Sequence, residues 1–122
     1  MYHYLKSRFT IAGAAMATSL IFSAMHIFNP GITVLALFNL FLAGVVINLL
    51  VMRDNSIWSA VGFHFAWNFT MGIIFSSPVS GGGKEGIIKY SLKGYELLTG
   101  GRFGIEGGLV CTIALLLLGL YI

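Results

Sequence analysis

Two histidines and one asparagine stand inside apolar runs of this 122-residue chain, and they are the residues best suited to chemistry. His26 follows Phe22 at a spacing of four, and His64 precedes Asn68 at the same spacing. Residues four apart lie on one face of a helix, one turn apart, so each pair can address a common atom. Because an unpartnered imidazole in hydrocarbon is costly, we expect both histidines to face a polar interior.

Two imidazoles and one amide allow two kinds of chemistry. Neutral imidazoles can ligate Zn²⁺, which makes His26 and His64 candidate metal ligands. Alternatively, these side chains and Asn68 can donate hydrogen bonds to the oxyanion of a tetrahedral intermediate. The simpler interpretation is that they only join helices, through hydrogen bonds worth about 0.6 kcal/mol each in membrane bundles. Their occurrence together, at helical spacing, favours a functional site.

The composition indicates a membrane protein. The chain is 57% hydrophobic and 9% charged, against roughly 45 to 50% and 25% in soluble domains. Seven basic and four acidic side chains cannot form a polar shell around a domain of this length. We therefore expect an integral, multi-pass protein surrounded by membrane lipid. The basic residues form no patch that could follow phosphates, so we expect no nucleic-acid partner.

Four apolar segments predict the fold, at residues 9–28, 32–52, 56–75 and 109–122. The first three are each about 20 residues long, enough to cross roughly 30 Å of hydrocarbon as a helix. The short connections between the first three segments predict antiparallel neighbours. The sequence thus predicts an all-α fold, a polytopic transmembrane helix bundle of about four spanning helices plus a short interfacial helix.

The remaining residues complete a single domain over 1–122. Residues 77–108 are glycine-rich and polar, which predicts an extramembrane loop, with an amphipathic interfacial helix over 84–98. Because the first and third segments run in the same direction, a contact between them can bring His26 towards His64. Glu106 precedes the last apolar segment, where we expect it to stabilise the start of a helix through the macrodipole.

Two segments carry a resemblance to a known family. Residues 22–26 read FSAMH and residues 64–68 read HFAWN. They resemble the second and third motifs of the CPBP family, Phe-x-x-x-His and His-x-x-x-Asn/Asp on separate transmembrane helices. These are the CAAX-protease-like intramembrane proteases, with bacteriocin-processing (Abi) members. Residues 100–107 also resemble a run common in bacterial members, so the similarity covers nearly the whole chain.

The resemblance implies a protease of the bacterial cell membrane that hydrolyses a lipidated or hydrophobic peptide, including prenylated CAAX proteins. His26, His64 and Asn68 would be its catalytic residues. In the family such residues position water and stabilise the oxyanion, or bind a divalent metal such as zinc as in a metalloprotease. In the second case His26 and His64 would be the metal ligands.

One departure from the family affects activity. The first motif, Glu-Glu-x-x-x-Arg, supplies the carboxylate that activates water, and it is absent from this sequence. The acids present are Asp54, Glu85, Glu96 and Glu106, and we expect none of them beside the histidines. Since a general base contributes a factor of about 10² to 10⁴, we expect the chain to be a truncated, inactive member whose first motif would precede Met1.

Two other functions are compatible with the same helices. A non-catalytic membrane protein, such as an immunity or scaffold factor, could use them without the missing carboxylate. A transporter could use Asn39 and Asn48 of the second segment. These two asparagines are nine residues apart, about 180° around a helix, so they would not line one pathway.

Overall fold

The computed structural model describes residues 10–83, 86–89 and 92–122, and within them the chain is all-α, as predicted. The helices are α1 (Ile11–Ala24), α2 (Val34–Asp54), α3 (Ile57–Asn68), α4 (Glu96–Thr99) and α5 (Leu109–Tyr121). A π-helical turn, Phe69–Ile74, prolongs α3, and two 3₁₀ turns, Gly101–Phe103 and Ile105–Gly107, lead into α5.

Local sequence sets the boundaries of the first three helices. Thr10, Thr33 and Ser56 stand in extended conformation just before α1, α2 and α3. Each side chain accepts a hydrogen bond from a backbone N–H two or three residues later, which satisfies one donor that a helix start leaves free. Asn55 ends α2 in the left-handed region with φ 46°, which asparagine tolerates. The tight predicted turn between the second and third segments therefore forms.

α2 is the central helix and packs against α1, α3 and α5. At Gly44 the backbones of α1 and α2 are so close that an added Cβ would lie 2.9 Å from Ser19 Cα. Asn48 Nδ2 donates to Ser19 Oγ (3.2 Å), and Thr18 Oγ1 donates to Asn48 Oδ1 (3.1 Å). A small residue and polar side chains thus join these two apolar helices, as is common in membranes.

Asn39 occupies the opposite face of α2 and binds the segment that enters α5. Its Nδ2 donates to the backbone oxygens of Glu106 (2.7 Å) and Gly108 (2.9 Å), and its Oδ1 accepts from Thr112 Oγ1 (2.6 Å). Asn39 and Asn48 are therefore both buried and both engaged by protein groups, on opposite faces as predicted. This arrangement gives no support to a solute pathway between them.

One described helix, α2, is long and apolar enough to cross a membrane, with 21 residues and a mean hydropathy of 2.5. α1 and α5 are apolar but have 14 and 13 residues. The helix in the described part of 9–28 is therefore shorter than the roughly 20 residues predicted, whereas α5 covers nearly all of the predicted segment 109–122. The total of about four spanning helices stays a prediction. Hydropathy reports where apolar residues lie, whereas a helix ends where its backbone hydrogen bonding changes. Large apolar side chains such as Phe28 and Leu120 nevertheless stay exposed, as lipid contact requires.

The interfacial helix predicted over 84–98 is also wrong where the structure describes it. Residues 86–89 and 92–95 are irregular, and only the four residues of α4 are helical. Ile87 N–H and Ile88 N–H donate to the carbonyls of Ile73 and Ile74, at 2.8 Å each. These carbonyls end the π-helical turn and need donors from outside it, so the loop supplies them instead of forming its own helix. Residues 84, 85, 90 and 91 of the prediction lie outside the described residues.

The glycine-rich run before α5 folds tightly onto the bundle. Phe103 is fully buried against Ala36 and Leu40 near the start of α2. Gly100 adopts φ 80°, and a Cβ at this position would lie 1.7 Å from the carbonyl oxygen of Gly104. Only glycine permits this close approach of backbone to backbone. The run thus brings Glu106, which follows it, into contact with α3.

Candidate functional site

A cleft of about 980 Å³ lies between α1 and α3, with α2 as its floor. His26, His64 and Asn68 all line it, so the structure brings the three predicted site residues to one cavity. Gly44 and Asn48 are among the residues that line the cleft from α2. The close approach of α1 to α2 therefore also determines the shape of this cleft.

His26 lies in the turn that follows α1, two residues past the helix that we expected to carry it. Its backbone N–H donates to Ser23 O (3.0 Å), and its Nδ1 lies 2.8 Å from Phe22 O. Because a carbonyl oxygen only accepts, Nδ1 must carry the proton, and Nε2 of the neutral ring then holds a lone pair. The four-residue spacing of Phe22 and His26 thus fixes the tautomer of the imidazole.

The Phe22 ring contacts both histidines. Its centroid is 5.0 Å from that of His26 and 5.9 Å from that of His64, and the His64 ring stands nearly perpendicular to it at 89°. The two imidazole centroids are therefore no further apart than the sum of these distances. The expected contact between the first and third segments exists, and it runs through this aromatic ring.

His64 and Asn68 lie one turn apart on the same face of α3, as their spacing predicts. His64 is exposed to the cleft and Asn68 is half-buried. Within residues 10–83, 86–89 and 92–122, neither side chain makes a hydrogen bond. Their N–H groups are thus available to a molecule that enters the cleft.

The described residues do not complete a metal site. A catalytic zinc ion takes three protein ligands, and no group of three His, Cys, Asp or Glu side chains close enough to hold a metal occurs in the described part of the chain. His26 and His64 fall one ligand short of that number.

Sequence reasoning missed Glu106 as a neighbour of the site. Its carboxylate accepts from Trp67 Nε1 (2.6 Å) and from the backbone N–H of Ser80 (2.6 Å), and the residue is 7% exposed. It lines a small cavity of about 50 Å³ together with His64 and Asn68. Both carboxylate oxygens accept from these partners, and the expected macrodipole role stays a prediction. The signal in the sequence was Trp67, whose indole N–H needs an acceptor when buried.

Comparison with known proteins identifies the family. The model of the type II CAAX prenyl endopeptidase Rce1-like family matches residues 1–70, which is more than half of the chain and includes both motif segments. No curated protein and no solved structure matches the chain significantly. The family match agrees with the resemblance that residues 22–26 and 64–68 carry. The chain therefore belongs to the Rce1-like family of type II CAAX prenyl endopeptidases.

Proposed function

We propose that this chain forms the site of a multi-pass intramembrane endopeptidase that cleaves a hydrophobic or prenylated peptide at the membrane. The observation that carries the proposal is that His26, His64 and Asn68 line one cleft, where the last two have no hydrogen-bond partner in the described chain. Family membership supplies the reaction class.

The lining of the cleft supports an apolar substrate. Ile47 of α2, Val61 and Phe65 of α3, and Met25 in the turn after α1 contribute apolar surface around the polar groups. A cavity of about 980 Å³ is at the upper end of the range that binds organic ligands, about 300 to 1,000 Å³. A peptide with an apolar side chain or a lipid group therefore fits the cleft in both size and polarity.

The three polar groups divide the hydrolysis between them in this proposal. His64 and Asn68 donate to the carbonyl oxygen as it becomes negative, which is the role of an oxyanion hole. His26 uses the lone pair of Nε2 to orient a water molecule and accept its proton. The water oxygen bonds to the carbonyl carbon, the C–N bond breaks, and the proton passes to the departing amine.

The 122 residues contain no Glu-Glu-x-x-x-Arg motif, and a neutral imidazole alone is a weak substitute for that carboxylate. A general base contributes about 10² to 10⁴ in rate. We therefore propose that the chain alone is nearly inert. A form extended at its N-terminus by a helix with this motif, here called the extended form, should cleave faster by that factor.

The multi-pass arrangement is part of the same proposal. α2 has spanning length, and α1, α5 and α3 with its π-helical turn pack around it with apolar side chains facing outward. Cysteine accessibility in vesicles would test it. Labels at the two ends of α2, at Val34 and Asn55, should react from opposite sides of the membrane.

The decisive experiment measures cleavage of a farnesylated fluorogenic peptide by the extended form in liposomes. His64→Ala and Asn68→Ala should each lower kcat by about 10²-fold or more, as loss of an oxyanion donor does. Trp58→Phe is the matched control, because Trp58 lies on the same helix and is 76% exposed. Full activity in both alanine variants would exclude the proposed site. Absence of cleavage by any form would favour the non-catalytic immunity or scaffold function.

A further inference from the structure

The mechanism above does not use Glu106, although it is a buried acid beside the site. A carboxylate removed from water must be compensated by donors, and charge-assisted hydrogen bonds to it are the strong ones. Glu106 receives such bonds from two separate elements, Trp67 of α3 and Ser80 of the loop at 77–83. It therefore joins parts of the chain that are distant in sequence.

One side of this link reaches the catalytic face of α3. Trp67 is adjacent to Asn68 and three residues after His64 on the same helix. Among the described residues, its bond to Glu106 is the only side-chain hydrogen bond from residues 60–68 to another element. Because a helix moves as a rigid body, the position of the Trp67 indole also determines where the other two side chains stand.

The other side of the link reaches His26. Ser80 O accepts from Asn29 Nδ2 (2.9 Å), and the backbone N–H of Asn29 donates to His26 O (3.0 Å). A continuous series of hydrogen bonds thus runs from Trp67 through Glu106 and Ser80 to the turn that carries His26. α1 and α3 pack mainly on α2 and not on each other, so this series is a second connection between the two halves of the site.

We propose that Glu106 is a positioning residue whose carboxylate sets the separation between His26 and the His64 and Asn68 pair. The effect of Glu106 on catalysis rests on the proposed function. The hydrogen bonds that Glu106 makes do not depend on that function. Glu106 does not act as the base, because both of its oxygens already accept from protein N–H groups. Its role is to hold other groups in place.

The variant that tests the proposal is Glu106→Gln, which keeps the shape but replaces one acceptor oxygen by an NH₂ donor. That group must then face either Trp67 Nε1–H or the Ser80 N–H, so one link is lost and two donors oppose each other. Glu96→Gln is the matched control, since Glu96 is an exposed glutamate in the same loop region.

The first measurement is the NMR signal of the indole N–H in the full chain in nanodiscs. The chain has two tryptophans, and Trp58 is 76% exposed, so it serves as an internal reference. In Glu106→Gln the Trp67 N–H loses its charged acceptor in either orientation of the new amide, so its signal should move upfield while that of Trp58 stays. An unchanged Trp67 signal would overturn the proposal.

The second measurement is a spin-label distance between the two halves. Phe28→Cys places one label in the turn after α1, where Phe28 is 95% exposed. Gly62→Cys places the other on α3, where a Cβ meets nothing within 4 Å. The native Cys111 is buried and should remain unlabelled. Glu106→Gln should broaden the distance distribution, Glu96→Gln should not, and equal distributions would refute the positioning role.

The third measurement is cleavage by the extended form. Misplacement of catalytic groups by about 1 Å costs as much as 10²-fold, so Glu106→Gln should lower kcat about 10- to 100-fold with KM unchanged. Asn29→Ala breaks the other end of the series of hydrogen bonds. It should also lower kcat, but it should leave the Trp67 signal in place. It also replaces Glu106→Gln as the test variant if the latter does not fold. If Glu106→Gln broadens the distance distribution but leaves kcat unchanged, the positioning role is refuted.

The outcomes separate this proposal from the proposed function. If Glu106→Gln alters the Trp67 signal and the distance but no form cleaves peptide, the link is supported and the protease function fails. If cleavage requires His64 but is indifferent to Glu106→Gln, the protease function is supported and the positioning role fails.

Discussion

Replacement of Gly44 by alanine should push α1 away from α2. The new Cβ would lie 2.9 Å from Ser19 Cα and 3.0 Å from Ser19 Cβ, and the first of these is backbone that cannot rotate away. Overpacking of this kind costs about 1 to 3 kcal/mol. Alanine also favours a helix over glycine by about 1 kcal/mol, which partly offsets the cost.

Gly62→Ala separates these two effects. Gly62 also lies inside a helix, but an added Cβ there meets nothing within 4 Å. The gain in helix propensity is common to both variants and cancels in the comparison. Gly44→Ala should therefore be less stable than Gly62→Ala by about 1 to 3 kcal/mol, the overpacking cost alone. This corresponds to roughly 5- to 150-fold in the unfolding equilibrium, at 1.4 kcal/mol per tenfold.

The assay is reversible unfolding of each variant in mixed micelles, with the free energy of unfolding compared between the two. Because Gly44 also lines the cleft, the extended form of Gly44→Ala should lose cleavage activity whereas Gly62→Ala should not. Equal stability of the two variants would show that α1 and α2 do not approach as closely as the structure indicates.

Three further variants test how the loop region is held against the bundle. Asn39→Ala removes three hydrogen bonds, to Glu106 O, Gly108 O and Thr112 Oγ1, and should lower the free energy of unfolding by about 2 kcal/mol at roughly 0.6 kcal/mol per bond. Thr112→Val removes one of these hydrogen bonds, so it should lower the free energy of unfolding by less than Asn39→Ala does. A larger decrease in Thr112→Val would contradict this account. Gly100→Ala places a Cβ 1.7 Å from Gly104 O at φ 80°, so the loop should open and limited proteolysis within residues 77–108 should accelerate. Unchanged proteolysis would show that the tight turn is not required.

The predictions that succeeded rest on local or compositional properties. The all-α class follows from long apolar runs, and the shared face of His64 and Asn68 follows from a spacing of four on a helix. The family follows from two short motifs, each within five consecutive residues. None of these inferences requires knowledge of which distant residues meet.

The predictions that failed depended on contacts with other parts of the chain. The interfacial helix over 84–98 looks amphipathic, yet Ile87 and Ile88 bind the carbonyls that end the π-helical turn. The first apolar segment is longer than its helix, because apolar residues continue past the end of α1 at Ala24. Hydropathy is the same on both sides of such an end, so the sequence pattern cannot locate it.

By itself the sequence determined an apolar, helical chain that carries two histidines and an amide at helical spacing, because composition and short-range spacing depend only on the order of residues. Only the tertiary structure decided that Phe22 contacts both histidines and that Glu106 connects Trp67 to the turn of His26. Glu106 and Trp67 are 39 residues apart. Such a contact arises from the packing of the whole bundle around α2, and no local pattern specifies it.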